Sequence, residues 1–167
     1  FNQLDPNQYF VVCPEGPHRF YRDGTSGRVG ASWMTKEERE TDIQDYILFL
    51  DQLMDHVITE NSFEKKTLLG FSQGGATASR WLAYGRYQFD QFLLWAAVFP
   101  PDMDAHFIPR FESSENFWII GDQDEFISMA KAKNYFEELK KQLKRIEFVN
   151  FEGTHDIDAA TLNTFLR

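Results

Sequence analysis

Lys66-Thr67-Leu68-Leu69-Gly70-Phe71-Ser72-Gln73-Gly74-Gly75-Ala76-Thr77-Ala78 is the stretch that decides the fold. Residues 66–71 form a short apolar run that reads as a buried strand, and the Ala-rich residues 74–84 read as a helix ending near Gly85. Between them, Gly70-Phe71-Ser72-Gln73-Gly74 matches G-x-S-x-G, the pattern of a sharp strand-to-helix turn that lifts a serine hydroxyl above a sheet. Side chains two residues before and after the serine would collide in such a turn, which predicts a steric need for glycine at 70 and 74. The Gln73 amide opens the helix and points toward the same space, where it can donate to an oxyanion. A Gly-rich turn with a purely structural serine is the plainer alternative.

Apolar runs and helical patterns alternate on both sides of this turn. Residues 9–13 (Tyr-Phe-Val-Val-Cys) predict a first strand, followed by a polar, Gly-rich loop to Met34. Thr35 and Glu38 form a T-x-x-E capping box. The helix behind it carries Ile43, Tyr46, Ile47, Leu50, Leu53, Met54 and Val57 on one apolar face. Beyond the turn, strands are expected at 92–99, 117–120 and 145–151, with helices at 128–144 and 156–166. Continuously apolar strands alternating with helices define an α/β fold: a doubly wound, mostly parallel sheet with helices on both faces. Ligands of such sheets bind at the carboxyl ends of the strands.

The 167 residues suit a single domain, 1–167, at roughly 100–200 residues per domain. Composition is that of a globular chain, 43% hydrophobic and 26% charged, which excludes disorder and a disulfide scaffold. The balance of 17 Lys+Arg against 26 Asp+Glu, net -9, argues against nucleic acid and anionic membrane surfaces as partners. No apolar run approaches the ~18 residues of a membrane span. The lone cysteine, Cys13, rules out an intrachain disulfide and fits a reducing, cytoplasmic setting. It reads as a small buried hydrophobe on the first strand, with a nucleophilic thiol as the alternative. A homodimer is retained as one assembly state.

A nucleophilic serine needs a base, and the base an orienting carboxylate. Among the four histidines, His18 and His106 fall in long loops and His56 late in a helix, whereas His155 directly follows a strand and precedes a helix. The acid should follow the preceding strand, where Gly121-Asp122-Gln123-Asp124-Glu125 offers three carboxylates. Asp122 is placed to hold the turn and Asp124 has more freedom to reach His155. The residues alone leave the two open.

With these motifs in view, the chain resembles the carboxylesterase/phospholipase branch of the α/β-hydrolases, which includes acyl-protein thioesterases and small bacterial serine esterases. Gly70–Gly75, Gly121-Asp122-Gln123-Asp124 and Gly153-Thr154-His155 carry the resemblance, together with Pro14-Glu15-Gly16-Pro17, Gly30-Ala31-Ser32-Trp33-Met34 and Trp95-Ala96-Ala97-Val98-Phe99-Pro100-Pro101. It implies a Ser72–His155–Asp124 triad cleaving carboxylic esters through an acyl-enzyme, with Gln73 in the oxyanion hole. No metal or cofactor is implied. It also implies pocket positions at Ser32, Trp33 and Met34, and at Phe99 and Pro100; for Trp33 a loop anchor is the alternative. A thioesterase or peptidase on the same triad, or a non-catalytic binding protein of this fold, are the rival readings. The family's earlier strand and L-H-G-x-G-type loop find no match here. The expectation is therefore a chain whose N-terminal strands are missing, which leaves a signal peptide open. The alternative is a true short form with an impaired oxyanion hole.

Overall fold

A computed structural model describes residues 1, 4–103 and 107–166; His106 lies outside them. An antiparallel hairpin, β1 (His18–Asp23) and β2 (Ser26–Ser32), precedes the long helix α1 (Arg39–Glu60). Then follow β3 (Thr67–Phe71), α2 (Gln73–Tyr84), β4 (Gln91–Trp95), α3 (Ile108–Glu112), β5 (Glu115–Gly121), α4 (Met129–Gln142), β6 (Ile146–Phe151) and α5 (Ala159–Phe165). Strands β3-β4-β5-β6 pair in that order, all parallel.

The pleat divides the apolar strand residues between two cores. Phe92 and Leu94 of β4, with Trp118 and Ile120 of β5, face α1, α2 and α4, where Tyr46, Leu50, Leu82 and Leu139 meet them. Leu93, Trp95 and Ile119 face the other way and meet Leu162 of α5. This is why the strands read as unbroken apolar runs: both faces are covered, and each fully buried large side chain contributes about 1.5–3 kcal/mol. The mostly parallel α/β sheet with helices on both faces is thus the architecture that the sequence predicts.

Four local expectations are corrected. Residues 9–13 are not a strand: Phe10 is 60% exposed, and Val11, Val12 and Cys13 are exposed with it. Apolar, β-branched composition says only that a segment suits a pleated surface. A strand also needs a neighbour for its backbone groups, and none pairs with this one among the described residues. Cys13 accordingly is not a buried hydrophobe. The polar loop at 18–32 is instead a hairpin, turned at Asp23-Gly24-Thr25-Ser26, where Gly24 takes φ +69°. The Thr35 capping box does not form either. The helix starts at Arg39 without a side-chain cap, and the Thr35 amide donates to the buried Asp42 carboxylate at 2.8 Å. A buried carboxylate must find donors, and Asp42 takes this one together with His18 Nε2 at 3.1 Å.

No helix among the described residues is long and apolar enough to cross a membrane.

Candidate active site

Ser72 is the single residue between β3 and α2. Its φ of +52° is a left-handed conformation that non-glycine residues rarely adopt, so the hydroxyl is held up by a strained backbone. The turn is fixed from both sides: the Ser72 amide donates to Trp95 O at 3.1 Å, and Gly75 N donates to Ser72 O at 2.9 Å. The steric need for glycine is at 70 and 75. A Cβ on Gly70 would lie 2.6 Å from Gly74 O, and one on Gly75 2.3 Å from the Ala97 Cβ. A Cβ on Gly74 would meet nothing within 4 Å, so the expected clash there is absent. Gly74 borders a cavity of about 900 Å³ that runs along β3 past Leu68 and Leu69 to Leu53 and Met54 of α1.

His155, in the loop after β6, reaches the elbow: its Nε2 lies 3.0 Å from Ser72 Oγ. The loop is held by the His155 amide donating to Glu125 Oε2 at 3.2 Å and by Trp95 Nε1 donating to Asp156 O at 2.9 Å. His155 Nδ1 is 2.8 Å from Asp124 Oδ2. The other oxygen, Oδ1, accepts from the Phe126 and Ile127 amides at 2.8 and 2.9 Å. Asp122 instead accepts from Gly153 N at 3.0 Å, holding the turn. The geometry therefore separates the two carboxylates that the residues left open.

Tautomer follows from this arrangement. An ionised carboxylate only accepts, so the proton lies on Nδ1, Nε2 is an acceptor, and the Ser72 hydroxyl donates to it. Burial alone would raise the Asp124 carboxyl. Hydrogen bonds from His155 and from the Ile127 and Phe126 amides outweigh that and hold its pKa below the usual carboxylate range. Asp102 is lowered too, chiefly by its hydrogen bond from Arg80. A carboxyl depressed on folding adds stability above its unfolded pKa of about 3.9, and the gain is lost as pH falls through the folded value. Melting temperature should therefore stay level from about pH 7 to 5 and fall below about pH 4. A midpoint unchanged at pH 3 would contradict it.

The Gln73 amide is the first of α2 and has no intrahelical acceptor, so it is free to donate above the elbow. Its side chain does something the sequence does not reveal. Gln73 Nε2 donates to Ser32 Oγ at 2.9 Å, and Trp33 N donates to Gln73 Oε1 at 3.2 Å. This clamp brings Ser32 and Trp33 to the elbow. The Trp33 ring packs edge-on to Tyr46 at 6.2 Å, as an anchor would. Met34 turns inward, its sulfur 3.7 Å from Arg80 Nη1. Phe99 and Pro100 are not brought to the site. Phe99 is 7% exposed and packs against Phe92, Phe107 and Phe111, while its amide donates to the Tyr135 hydroxyl. Pro100 is buried with it. Phe99 and its three aromatic partners belong to one core cluster.

Two aromatic side chains flank His155. Phe71 lies 5.0 Å from the imidazole, centroid to centroid, and Phe126 lies 4.6 Å away, edge-on. No pattern in the sequence marks Phe126. The loop after Gly121 is marked in the sequence by its carboxylates at 122, 124 and 125 alone.

Solved structures share this fold. Over 93% of this chain and 80% of the other, it matches SOBER1 of Arabidopsis thaliana with a TM-score of 0.65 at 18% identity. Acyl-protein thioesterase 2 of Zea mays matches with a TM-score of 0.65 at 15% identity, over 92% of this chain and 77% of that one. Esterase PE8 matches with a TM-score of 0.62 at 15% identity, over 93% and 74%. No curated protein matches by sequence. The architecture is that of the α/β-hydrolases. The chain belongs to the serine hydrolase (FSH1) family, whose profile matches residues 2–162.

Proposed function

We propose that the protein hydrolyses carboxylic esters through a Ser72–His155–Asp124 triad within a single domain. One observation carries this reading: an unbroken hydrogen-bond chain from a strained serine through His155 to a buried carboxylate. Ser72 Oγ attacks the ester carbonyl while its proton passes to His155 Nε2. Asp124 holds the imidazole in the tautomer that can accept it and stabilises the imidazolium. The Gln73 amide donates to the developing oxyanion. His155 then protonates the leaving group, and the acyl-enzyme is released by a water that His155 activates. The steps call on no metal or cofactor. They serve a thioester equally well, since the triad acts on the acyl carbon. The substrate is a small ester or thioester, with Ser32 and Trp33 bordering its site. The exposed, unpaired Cys13 fits a reducing compartment, and we place the protein in the cytoplasm.

A fluorophosphonate probe tests the reading. Wild type should label stoichiometrically and Ser72→Ala should not label at all. A folded wild type that stays unlabelled and cleaves no p-nitrophenyl ester would favour the non-catalytic binding protein.

A further inference from the structure

We propose that Phe126 is the wall of a leaving-group site and selects esters whose alcohol carries an aromatic ring. The proposal rests on the triad reading above. His155 Nε2 must protonate the departing oxygen, so that oxygen sits within about 3.2 Å of Nε2. A group bonded to that oxygen can pack on a ring that flanks the imidazole. Among the described residues the flanking rings are Phe71 and Phe126. Phe71 is half-buried at the end of β3, whereas Phe126 keeps 72% of its surface exposed.

An exposed phenyl ring gains little from folding, and a lone one on a mobile tip would need no explanation. Phe126 is not on such a tip. Its amide donates to Asp124 Oδ1, and the next amide, of Ile127, donates to the same oxygen. The backbone that carries the ring is thus fixed by the carboxylate that orients His155. The ring is presented to solvent at a set distance from the proton donor. A planar apolar group on the alcohol side of the scissile bond can pack on it, offset or edge-on, with centroids 4.5–7 Å apart, the range aromatic pairs prefer. An ethyl group at the same place covers little of it.

The test compares benzyl and ethyl esters of one acid. Their alcohols are alike as leaving groups and differ in the ring. Wild type should favour the benzyl ester in kcat/KM, and Phe126→Ala should cut the benzyl-to-ethyl ratio by about fivefold, equivalent to roughly 1 kcal/mol at 1.4 kcal/mol per tenfold. Phe126→Tyr should retain the ratio. A ratio unchanged in Phe126→Ala overturns the proposal, whether or not both rates fall, because a ring that only screens the Asp124–His155 pair would slow both esters alike. Failure of wild type to turn over the benzyl ester overturns it as well. If that wild type still takes a fluorophosphonate at Ser72, the triad reading stands without it. If Ser72 takes no label, the triad reading fails first.

Discussion

Asp124→Asn is expected to lower kcat on an ester substrate by about 10⁴, with little change in the surrounding loop. The asparagine oxygen can still accept from the Phe126 and Ile127 amides, which bond Oδ1 in the native chain. That leaves its NH₂ facing His155 Nδ1. An NH₂ donates, so the imidazole must accept at Nδ1 and carry its proton on Nε2. A protonated Nε2 cannot take the Ser72 proton, and the nucleophile is lost although every atom is nearly in place. Asp122→Asn is the control. Among the described residues the Asp122 carboxylate accepts from Gly153 N, which an asparagine oxygen also permits, so its kcat should stay within severalfold. Steady-state kinetics on both variants decide the matter. A loss under tenfold in Asp124→Asn, or equal losses in both, would remove Asp124 from the triad.

The largest expected effect on stability lies elsewhere, at Asp102. Arg80 of α2 is 1% exposed. Its guanidinium is held by both Asp102 oxygens, with Nε to Oδ2 at 3.1 Å and Nη2 to Oδ1 at 2.7 Å, and Nη1 reaches the Tyr46 hydroxyl at 3.4 Å. Arg39 of α1 meets the same carboxylate at 2.9 Å. Asp102→Ala would leave a buried cation with two neutral partners, the Tyr46 hydroxyl and the Met34 sulfur. Breaking a buried pair costs about 3–5 kcal/mol, and the lower end applies because the Asp102 side chain is itself 33% exposed. At about 2–4 °C per kcal/mol, the melting temperature should fall by roughly 6–12 °C. The double variant Arg80→Met/Asp102→Leu should recover most of the loss, since it removes both charges together. A drop below about 2 °C in Asp102→Ala would show that the guanidinium is satisfied without it.

The parts of the fold that pack against themselves were legible. Strands β3 to β6 are apolar because both sheet faces are covered, and the elbow is visible because a strand runs into a helix across Gly-x-Ser-x-Gly, although of those two glycines only Gly70 follows from backbone clearance. Pairing was not legible. Residues 9–13 have the composition of a strand and no strand paired with them among the described residues, while the β1–β2 hairpin hid in a polar, Arg- and Gly-rich segment. Its Asp23-Gly24 turn was a usable signal that the length of the loop obscured. Within the site, Ser72 and His155 could be placed by element order. Spacing could not rank Asp122 against Asp124, because two residues in one loop differ only in which way the backbone turns them. Phe99 and Phe126 show the same limit in opposite directions. The ring expected at the cleft lies in the core, and the ring beside the imidazole carried no motif.

The sheet is laid down in chain order, each strand beside the one before it. The chain leaves the ribosome N-terminus first, and a domain folds as a unit. The residues of β3 and α2, with Ser72 between them, therefore emerge well before those of β6. His155 follows β6 and emerges after the residues of all four paired strands. On the triad proposed above, Ser72 has no partner to take its proton until then. A chain still short of residue 155 would carry the strained serine without the chemistry proposed for it.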